Sequence, residues 1–467
     1  MSKQHGFGRA KHGMGKADGQ RHLSAGTSVR KAWRVRTGLV GALLAIACGS
    51  TKGDDLAQVV GDSTSRDDGT TLTAEDLAQR AYVISDHSND LFVVDLSTMT
   101  EVAKVDTSLS SEVNGNHMAM LSPDGSKIYV SAAALGAMVV LDARTLQIQK
   151  RIDLGTHPTH SEMCVACPPD GRDELWVVNE GGMPALQPSA SVATDPNAPA
   201  PIPEGAVSVI DVASDEVVKT FTDPSLIVPH FVRFHDHTAY IPSIGGNQIT
   251  VLDLDTFKVD DVLLLDGQDH PGPCSGDPCG FADAQIDGSG LLVAAHIETG
   301  HVLSYDTVAR QRRPDLLAGN HPWSIFVDQL SNDFSTQLMP NWGDATVSLI
   351  DRDQRKEVAR SLEGDQESYG VNYSPLAPGK AFVLNRIKER VAVIDRQTGG
   401  LIEAMDVGGT TETASTTRDG KYLLLPISST NQFSVFDVAT RTEVARFDDV
   451  GEYPWSVTTV GGQNYCH

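Results

Sequence analysis

The sequence lacks the common signatures of membrane-spanning proteins and of several large enzyme classes. The N-terminal apolar run, residues 38–47, is too short to cross a bilayer. No nucleophile elbow, phosphate-binding loop, HExxH zinc motif or DxDxDG calcium loop occurs. The sequence therefore offers no motif for an α/β-hydrolase, a nucleotide-hydrolysing enzyme, a zinc protease or an EF-hand protein.

Basic residues are scarce outside the N-terminal segment. The whole chain of 467 residues has a net charge of −24, and residues 1–37 hold nine of its 37 Lys and Arg but only one of its 61 acidic residues. Residues 38–467 therefore carry 28 basic and 60 acidic side chains, a net charge of −32. Such a surface repels phosphate backbones, so nucleic acid is not expected as a partner. A composition of 40% hydrophobic and 21% charged residues indicates a globular protein.

Cysteine is also rare, with six residues in the chain. Neither the pair Cys164 and Cys167 nor the pair Cys274 and Cys279 is followed by histidine, which excludes covalent c-type haem attachment. Disulfides are permitted in an exported protein. Cys274 and Cys279 are the better candidates, because a bridge between Cys164 and Cys167 is strained in an extended strand. Ligation of a metal by these thiolates is the alternative.

The N-terminus resembles an export signal. A basic stretch at residues 30–36 precedes the short apolar run, which ends in "LLAIACGS". This ending resembles a bacterial lipobox and implies that Cys48 is lipidated and becomes the mature N-terminus. The alternative is ordinary secretion with cleavage near Ala47, and translation starts at Met1 or Met14. Residues 1–48 are interpreted as the signal peptide and residues 49–79, rich in Gly, Ser, Thr and Asp, as a flexible tether.

Eight similar segments follow, and each has an apolar run, a polar turn, a second β-rich run and a final aspartate. Examples are "YVISDHSNDLFVVD" and "LLPISSTNQFSVFD". The first apolar residue and the aspartate are 13 positions apart in seven segments; in the third, an insertion of 22 residues lengthens the interval. A constant spacing predicts a hairpin of constant length. The aspartates are Asp95, Asp142, Asp211, Asp253, Asp306, Asp351, Asp395 and Asp437.

Six of these aspartates are followed three residues later by Ser or Thr, a pattern typical of a tight turn leaving a strand. A third β-rich run follows each hairpin, and a fourth precedes all but the first. Four short strands in a repeat of forty-odd residues predict an all-β fold, a β-propeller with eight four-stranded blades over residues 80–467.

The segments resemble the YVTN repeat family of β-propellers, which includes the exported YncE-like proteins. "YVISDHSNDLFVVDLST" and "WVVNEGG…AVSVIDVAS" carry the resemblance over about residues 80–461. The family commonly has seven blades, so seven remain an alternative to eight. The final run "PWSVTTV" has no hairpin after it, which predicts that residues 455–460 pair with residues 82–85 and close the ring.

Histidines concentrate on one predicted face. Because the strands of each blade alternate in direction, the connections between blades and the turns between the second and third strands emerge on the same side. Most histidines of the repeat region fall in these segments. His296 lies in a turn and is a weaker candidate. Six histidines lie in or just after the connections, at the inner rim: His117, His157, His160, His230, His270 and His321.

Imidazoles converging on a channel mouth are typical of a zinc or copper site, which neighbouring or inward-reaching histidines would share. Glu162 and Asp269 are candidate ligands or hydrogen-bond partners of such histidines. The alternative is structural, with His-Pro pairs repeated because they suit the connection between blades. Four aromatic residues near this face are candidates for stacking on a ligand: Trp323, Trp342, Tyr369 and Tyr453.

The sequence therefore predicts an exported, lipid-anchored β-propeller that binds a small molecule or a partner protein at its histidine-rich channel mouth. The alternative is a copper- or zinc-dependent redox or hydrolytic enzyme that uses the same histidines. The protein is expected to be a monomer of the cell envelope that touches the membrane only through its lipid, facing the periplasm or the cell surface. A proline-rich insertion, residues 182–205, is expected on the histidine face.

Overall fold

A computed structural model describes residues 72–181, 204–275, 278–362, 368–411 and 413–464. The predicted signal peptide with Cys48, most of the predicted tether and residues 182–203 of the insertion lie outside the described residues. Within the described part of the chain, no helix is long and apolar enough to cross a membrane.

The described residues form eight antiparallel sheets arranged in a ring, so the protein is an eight-bladed β-propeller, as predicted. A short helix, α1 (Ala74–Ala78), precedes the first blade. The strands of the first four blades, in chain order, are β1 (Arg80–Ser85), β2 (Asp90–Asp95), β3 (Thr100–Asp106), β4 (Asn116–Leu121), β5 (Lys127–Ala132), β6 (Ala137–Asp142), β7 (Ile148–Asp153), β8 (Pro158–Cys167), β9 (Arg172–Asn179), β10 (Glu204–Asp211), β11 (Glu216–Ile227), β12 (Arg233–His235), β13 (Thr238–Pro242), β14 (Gln248–Asp253) and β15 (Lys258–Leu264).

The remaining strands, also in chain order, are β16 (Gln285–Ile286), β17 (Leu291–Ala295), β18 (His301–Asp306), β19 (Gln311–Leu317), β20 (Phe326–Asp328), β21 (Asp333–Asn341), β22 (Thr346–Asp351), β23 (Lys356–Leu362), β24 (Ser368–Asn372), β25 (Lys380–Asn385), β26 (Arg390–Asp395), β27 (Leu401–Asp406), β28 (Ser415–Thr416), β29 (Tyr422–Ile427), β30 (Gln432–Asp437), β31 (Thr442–Phe447), β32 (Pro454–Thr459) and β33 (Gln463–Asn464). A 3-10 turn, Ala133–Leu135, lies between β5 and β6.

Blades 2 to 8 begin at β4, β8, β12, β16, β20, β24 and β28, and each runs outward from that first strand, with β33 added to the inner side of β28 in blade 8. The innermost strands of adjacent blades contact one another, as β4 does with β8 and β12 with β16. The second and third strands of each blade are buried on both faces because neighbouring blades pack against them. This burial is why they read as continuous apolar runs rather than alternating ones.

The repeated aspartate ends the third strand of every blade and holds the turn after it. Thr145 and Arg144 both donate their backbone N–H groups to Asp142 Oδ1 at 2.8 Å. All six of the Ser or Thr residues noted in the sequence donate a backbone N–H to their aspartate in the same way. The spacing of Asp and Ser or Thr is therefore explained by a local turn.

The ring closes as the sequence predicted. The last inner strand, β32, completes blade 1 by pairing antiparallel with β1, with Val457 opposite Val83 and Thr459 opposite Ala81. Blade 1 thus takes strands from both ends of the chain. The short strand β33 then adds to blade 8 beside β28.

Two local features differ from the sequence-based expectations. Helix α1 lies inside the stretch interpreted as tether, and its Leu77 is fully buried in the core between blades 1 and 2. Cys164 and Cys167 form a disulfide although they lie in β8, because the strand bulges between them and Ala166 adopts a φ of 48°. The chain there is not extended, so the objection to this bridge does not apply. Cys274 and Cys279 are also bridged.

Ring closure is expected to dominate stability. Val457 is 2% exposed, so Val457→Asp places a carboxylate in the closing strand and should lower the free energy of unfolding by on the order of 3 kcal/mol. The matched change Val444→Asp, at a position 45% exposed on the outer strand of blade 8, should have little effect. Urea denaturation of both variants provides the measurement, and equal losses of stability would contradict the closure argument.

Candidate metal site at the channel mouth

Three adjacent blades bring four histidines and one glutamate together on one face. His117 lies in β4 of blade 2, and His157 and His160 lie just before and within β8 of blade 3. His230 lies in the connection between β11 and β12, which leads into blade 4. Glu180 follows β9 directly, at the start of the insertion. The four histidines lie in or next to connections between blades, and Glu180 lies in the turn between the second and third strands of blade 3. The antiparallel order of the strands places all of these segments on one side of the ring.

The carboxylate of Glu180 lies at the centre of the group. Its side chain is 3% exposed, and Thr159 Oγ1 donates a hydrogen bond of 2.8 Å to Oε1. His160 Nδ1 and His230 Nε2 are each 3.8 Å from the same oxygen. The other oxygen, Oε2, faces His157 Nδ1 at 3.3 Å. Glu180 is therefore surrounded by imidazole nitrogens rather than by Lys or Arg.

Two backbone hydrogen bonds hold Glu180 in this place. The N–H of Glu180 donates to the carbonyl of His157 at 3.1 Å, and the N–H of Gly181 donates to the carbonyl of Thr156 at 3.1 Å. The turn after β9 is thereby fixed against the connection that leads into β8. His157 itself adopts a φ of 57°, in the left-handed region that is uncommon for a residue with a Cβ.

The same backbone arrangement recurs in three other blades, and in only one of them is the residue a histidine. Val228, His321 and Tyr453 also have positive φ values, precede proline and accept an N–H from the facing turn, donated by Ile244, Trp342 and Asp86 respectively. The connection therefore requires its left-handed conformation but does not require histidine. The structural alternative explains the His-Pro backbone, and it leaves the side chains around Glu180 unexplained.

His230 is oriented for ligation through Nε2. Its Nδ1 donates to the carbonyl of Ala282 at 2.7 Å, so Nδ1 carries a proton, and Nε2 faces Glu180. Fixing the tautomer through the distal nitrogen is typical of metal-binding histidines. The ring of His160 packs against that of His230 with centroids 4.2 Å apart.

The protonation states suit a cation. Burial, followed by the neighbouring His230, lowers the pKa of His160 to about 4, and burial lowers the pKa of His117 well below its usual value. Burial alone would raise the pKa of Glu180, but the neighbouring imidazoles of His157, His160 and His230 outweigh it and hold the pKa well below its usual value. At neutral pH, His117 and His160 are therefore neutral and the carboxylate is charged.

The ligand atoms of His160, Glu180 and His230 all lie within 4.8 Å of one another, and all three residues are buried. Two ligands of a tetrahedral zinc ion, each at about 2.0–2.1 Å from the metal, are roughly 3.3 Å apart. The 3.8 Å separations from Glu180 Oε1 thus require only a small inward movement of the side chains. Two nitrogens and one carboxylate oxygen form a set that suits zinc or copper.

The other histidines proposed from the sequence lie outside this cluster. His270 is largely exposed and pairs with the adjacent Asp269, and His321 Nδ1 lies 3.1 Å from the side chain of Asn320. His296 is buried, with Nδ1 3.1 Å from Thr299 Oγ1.

Glu162 is engaged in an ion pair and not with the imidazoles. Its Oε2 accepts a hydrogen bond of 2.5 Å from Arg233, which also pairs with Asp283 at 2.6 Å. The acidic residue that the structure places among the histidines is instead Glu180, which sequence reasoning missed. One signal was available, because Glu180 is the acidic residue directly before the one insertion that interrupts the repeat.

The predicted aromatic residues flank the cluster on two sides. On one side, Trp323 lies edge-on to His230 at 6.5 Å and contacts Tyr369 at 4.7 Å and Trp342 at 5.5 Å, all between ring centroids.

On the other side, Tyr453 stacks between His87 at 4.3 Å and Trp455 at 6.0 Å. Trp455 in turn lies 5.3 Å from His117. The four cysteines in the described part of the chain are in disulfides, so none of them supplies a thiolate to the cluster.

No family model matches the chain, and no curated protein sequence matches it. Among solved structures, it is similar to the dihydro-heme d1 dehydrogenase NirN in complex with DHE, with a TM-score of 0.60 and 15% identity, over 83% of this chain and 76% of that chain. Apo AztD from Citrobacter koseri has a TM-score of 0.52 and 12% identity, over 83% and 98%. The computationally designed Ika8 protein has a TM-score of 0.53 and 12% identity, over 74% and 93%. Identities this low show the fold alone.

The buried imidazole should resist protonation. At pH 5.5 we expect His160 to be neutral, whereas His237, whose pKa is raised by its hydrogen bond to Asp255, should be protonated. Imidazole nitrogen chemical shifts of 15N-labelled protein measured across pH test both. Because an unfolded histidine titrates near 6.5, folding stability should fall as the pH drops from about 6.5 to about 4. The His160→Gln variant should lose part of this dependence; an ordinary titration of His160 near 6.5 would contradict the buried placement.

Proposed function

We propose that this protein is an exported, lipid-anchored β-propeller that binds a divalent transition-metal ion, zinc or copper, through His160, Glu180 and His230. The observation that carries the proposal is the buried carboxylate of Glu180, enclosed by imidazole nitrogens at 3.3–3.8 Å. We identify the ligand face expected at the channel mouth with this cluster, to which three adjacent blades contribute.

The energetics favour a cation at this place. A carboxylate that is 3% exposed loses most of its hydration, and a buried charge is stable only when it is paired and hydrogen-bonded. Thr159 provides one hydrogen bond to Glu180. His160, with a pKa of about 4, provides no positive charge at neutral pH. A bound divalent ion would compensate the carboxylate and use the imidazole lone pairs at the same time.

Export and membrane anchoring rest on the N-terminal sequence. The basic stretch, the short apolar run and the lipobox-like ending before Cys48 support a lipoprotein of the cell envelope. The resemblance to YVTN and YncE-like propellers supports the same location. We infer a monomer whose partners are a metal ion, a small molecule or a protein, and not nucleic acid, because residues 38–467 are strongly acidic.

A metal-dependent redox or hydrolytic enzyme is the second candidate. Catalytic zinc sites have three protein ligands and keep a fourth position for water or substrate, and the cluster offers three buried ligand residues. The partly buried His157 decides between the two, because its Nδ1 near Glu180 Oε2 would fill the fourth position of a closed site. X-ray absorption of the zinc-loaded protein distinguishes four protein ligands from three with a bound water.

Metal analysis of the purified full chain, followed by calorimetric titration with Zn²⁺, tests the proposal. We expect one ion per chain and a loss of about 100-fold in affinity in Glu180→Gln or His230→Gln. At zinc concentrations about 100 times the Kd, the ion should stabilise the folded protein by about 2.7 kcal/mol.

Matched controls come from the same face. Glu298→Gln and His321→Gln remove the same groups outside the cluster and should leave zinc affinity unchanged. A metal-free preparation whose melting temperature is unaffected by Zn²⁺ or by a chelator would contradict the proposal. Equal losses in the cluster variants and in the controls would place the metal elsewhere.

A further inference from the structure

His160 lies between two chemically different surroundings. Its Nδ1 faces Glu180 Oε1 at 3.8 Å, on the side that carries the carboxylate. Its Nε2 lies 3.3 Å from His117 Nε2, on the side toward blade 1. The two rings meet edge to face, with centroids 4.8 Å apart. A second pair of nitrogens suited to a metal ion therefore shares one imidazole with the proposed zinc or copper site.

The surroundings of this imidazole pair include aromatic rings and a buried methionine, and the guanidinium of Arg233 lies 4.0 Å over one of those rings, that of Phe231. Met118, which follows His117 in β4, is 4% exposed and forms a small core with Phe231, and Trp455 and Met120 pack against that core. Phe231 lies 5.4 Å from the ring of His160, and Trp455 lies 5.3 Å from the ring of His117. Phe231 and Trp455, the two aromatic residues next to the imidazole pair, therefore also pack with Met118.

These ligands differ in softness from those on the carboxylate side. Thioether sulfur is a soft donor that selects Cu(I), whereas carboxylate oxygen favours harder divalent ions. The face of an indole also attracts a cation. Two nitrogens about 3.3 Å apart match two ligands of one ion at roughly 2.0 Å each.

We propose that His117 and His160, with the thioether of Met118 and the indole of Trp455, form a second metal position selective for Cu(I). The proposal extends the proposed function, since it uses His160 of the same cluster. A neutral imidazole has a single lone pair, so His160 serves one ion at a time. Cu(I) at the His117 side and a divalent ion at the Glu180 side therefore compete.

Cu(I) binding replaces the hydrogen bond between the two imidazoles. In the metal-free protein one Nε2 donates its proton to the other at 3.3 Å. For both to bind copper, the donor ring must carry its proton on Nδ1 instead. The proton moves within one ring, and neither net proton release nor a change in oxidation state is required.

Anaerobic titration of the full chain with Cu(I), against a chromogenic Cu(I) chelator, tests the proposal. Met118→Leu nearly conserves volume and should fold normally. It should weaken Cu(I) binding by about 10- to 100-fold and leave Zn²⁺ affinity unchanged. X-ray absorption of the Cu(I) protein should show a sulfur neighbour that is absent in the variant. Cu(I) should also quench tryptophan fluorescence, and this quenching should decrease in Trp455→Phe.

Two further variants separate this proposal from the divalent site. Met405→Leu, at a buried methionine of blade 7, should change neither affinity. Glu180→Gln should lose Zn²⁺ binding and retain Cu(I). If Zn²⁺ binds and Cu(I) does not, or if Met118→Leu and the wild type bind Cu(I) equally, the second position is disproved while the divalent site stands. If Cu(I) binds and Zn²⁺ does not, the divalent site is disproved while the second position stands.

Discussion

Antiparallel pairing of the two chain ends is the constraint on which the rest of the structure depends. When β32 pairs with β1, blade 1 becomes complete and the eight sheets close into a ring. Closure removes the open sheet edges and brings the innermost strands of adjacent blades into contact. The connections between blades then end at one mouth of a common channel. Without a ring, His117, His160 and His230 would belong to three separate sheets with no shared pocket.

Within that ring, the cluster arises where one blade departs from the repeat. Blade 3 carries the insertion, and Glu180 stands at its beginning, tied by its backbone to His157. Blades 1 and 6 have the same backbone contact, with Asp86 or Trp342 in place of Glu180 and with Tyr453 or His321 in place of His157. The repeat thus provides the geometry. The chemistry comes from side chains that the turn itself does not require.

The cluster combines two kinds of ligand environment around His160. Glu180 and His230 lie on one side, and His117 lies on the other, with Met118 next to it in β4. Burial keeps both His117 and His160 neutral, which leaves their lone pairs available at neutral pH. Because the two sides share one imidazole, the metal ions proposed for them compete rather than add. Aromatic rings of blades 1 and 6 enclose the cluster from both directions.

The sequence by itself determined the strand order, the ring closure and the turn made by each repeated aspartate, and it favoured eight blades over seven, because these features depend on local spacing and alternation. It also placed His117, His157, His160 and His230 on one face through strand direction alone. Only the tertiary structure decided which of the face's histidines meet, since His270 and His321 lie on the same predicted rim yet outside the cluster. The reason is the local environment of each side chain, since His270 is 82% exposed and pairs with its neighbour Asp269, and His321 contacts its neighbour Asn320.

The sequence also could not predict which acidic residue meets the histidines or that a disulfide forms within β8. Glu162 and Glu180 both lie near the histidines in sequence, but Arg233, from the next blade, pairs with Glu162 and leaves Glu180 to the imidazoles. The bridge between Cys164 and Cys167 depends on a bulge that no spacing rule indicates. Packing in three dimensions decides which partner another blade supplies and where a strand departs from regular geometry. The period of the repeat predicts neither feature.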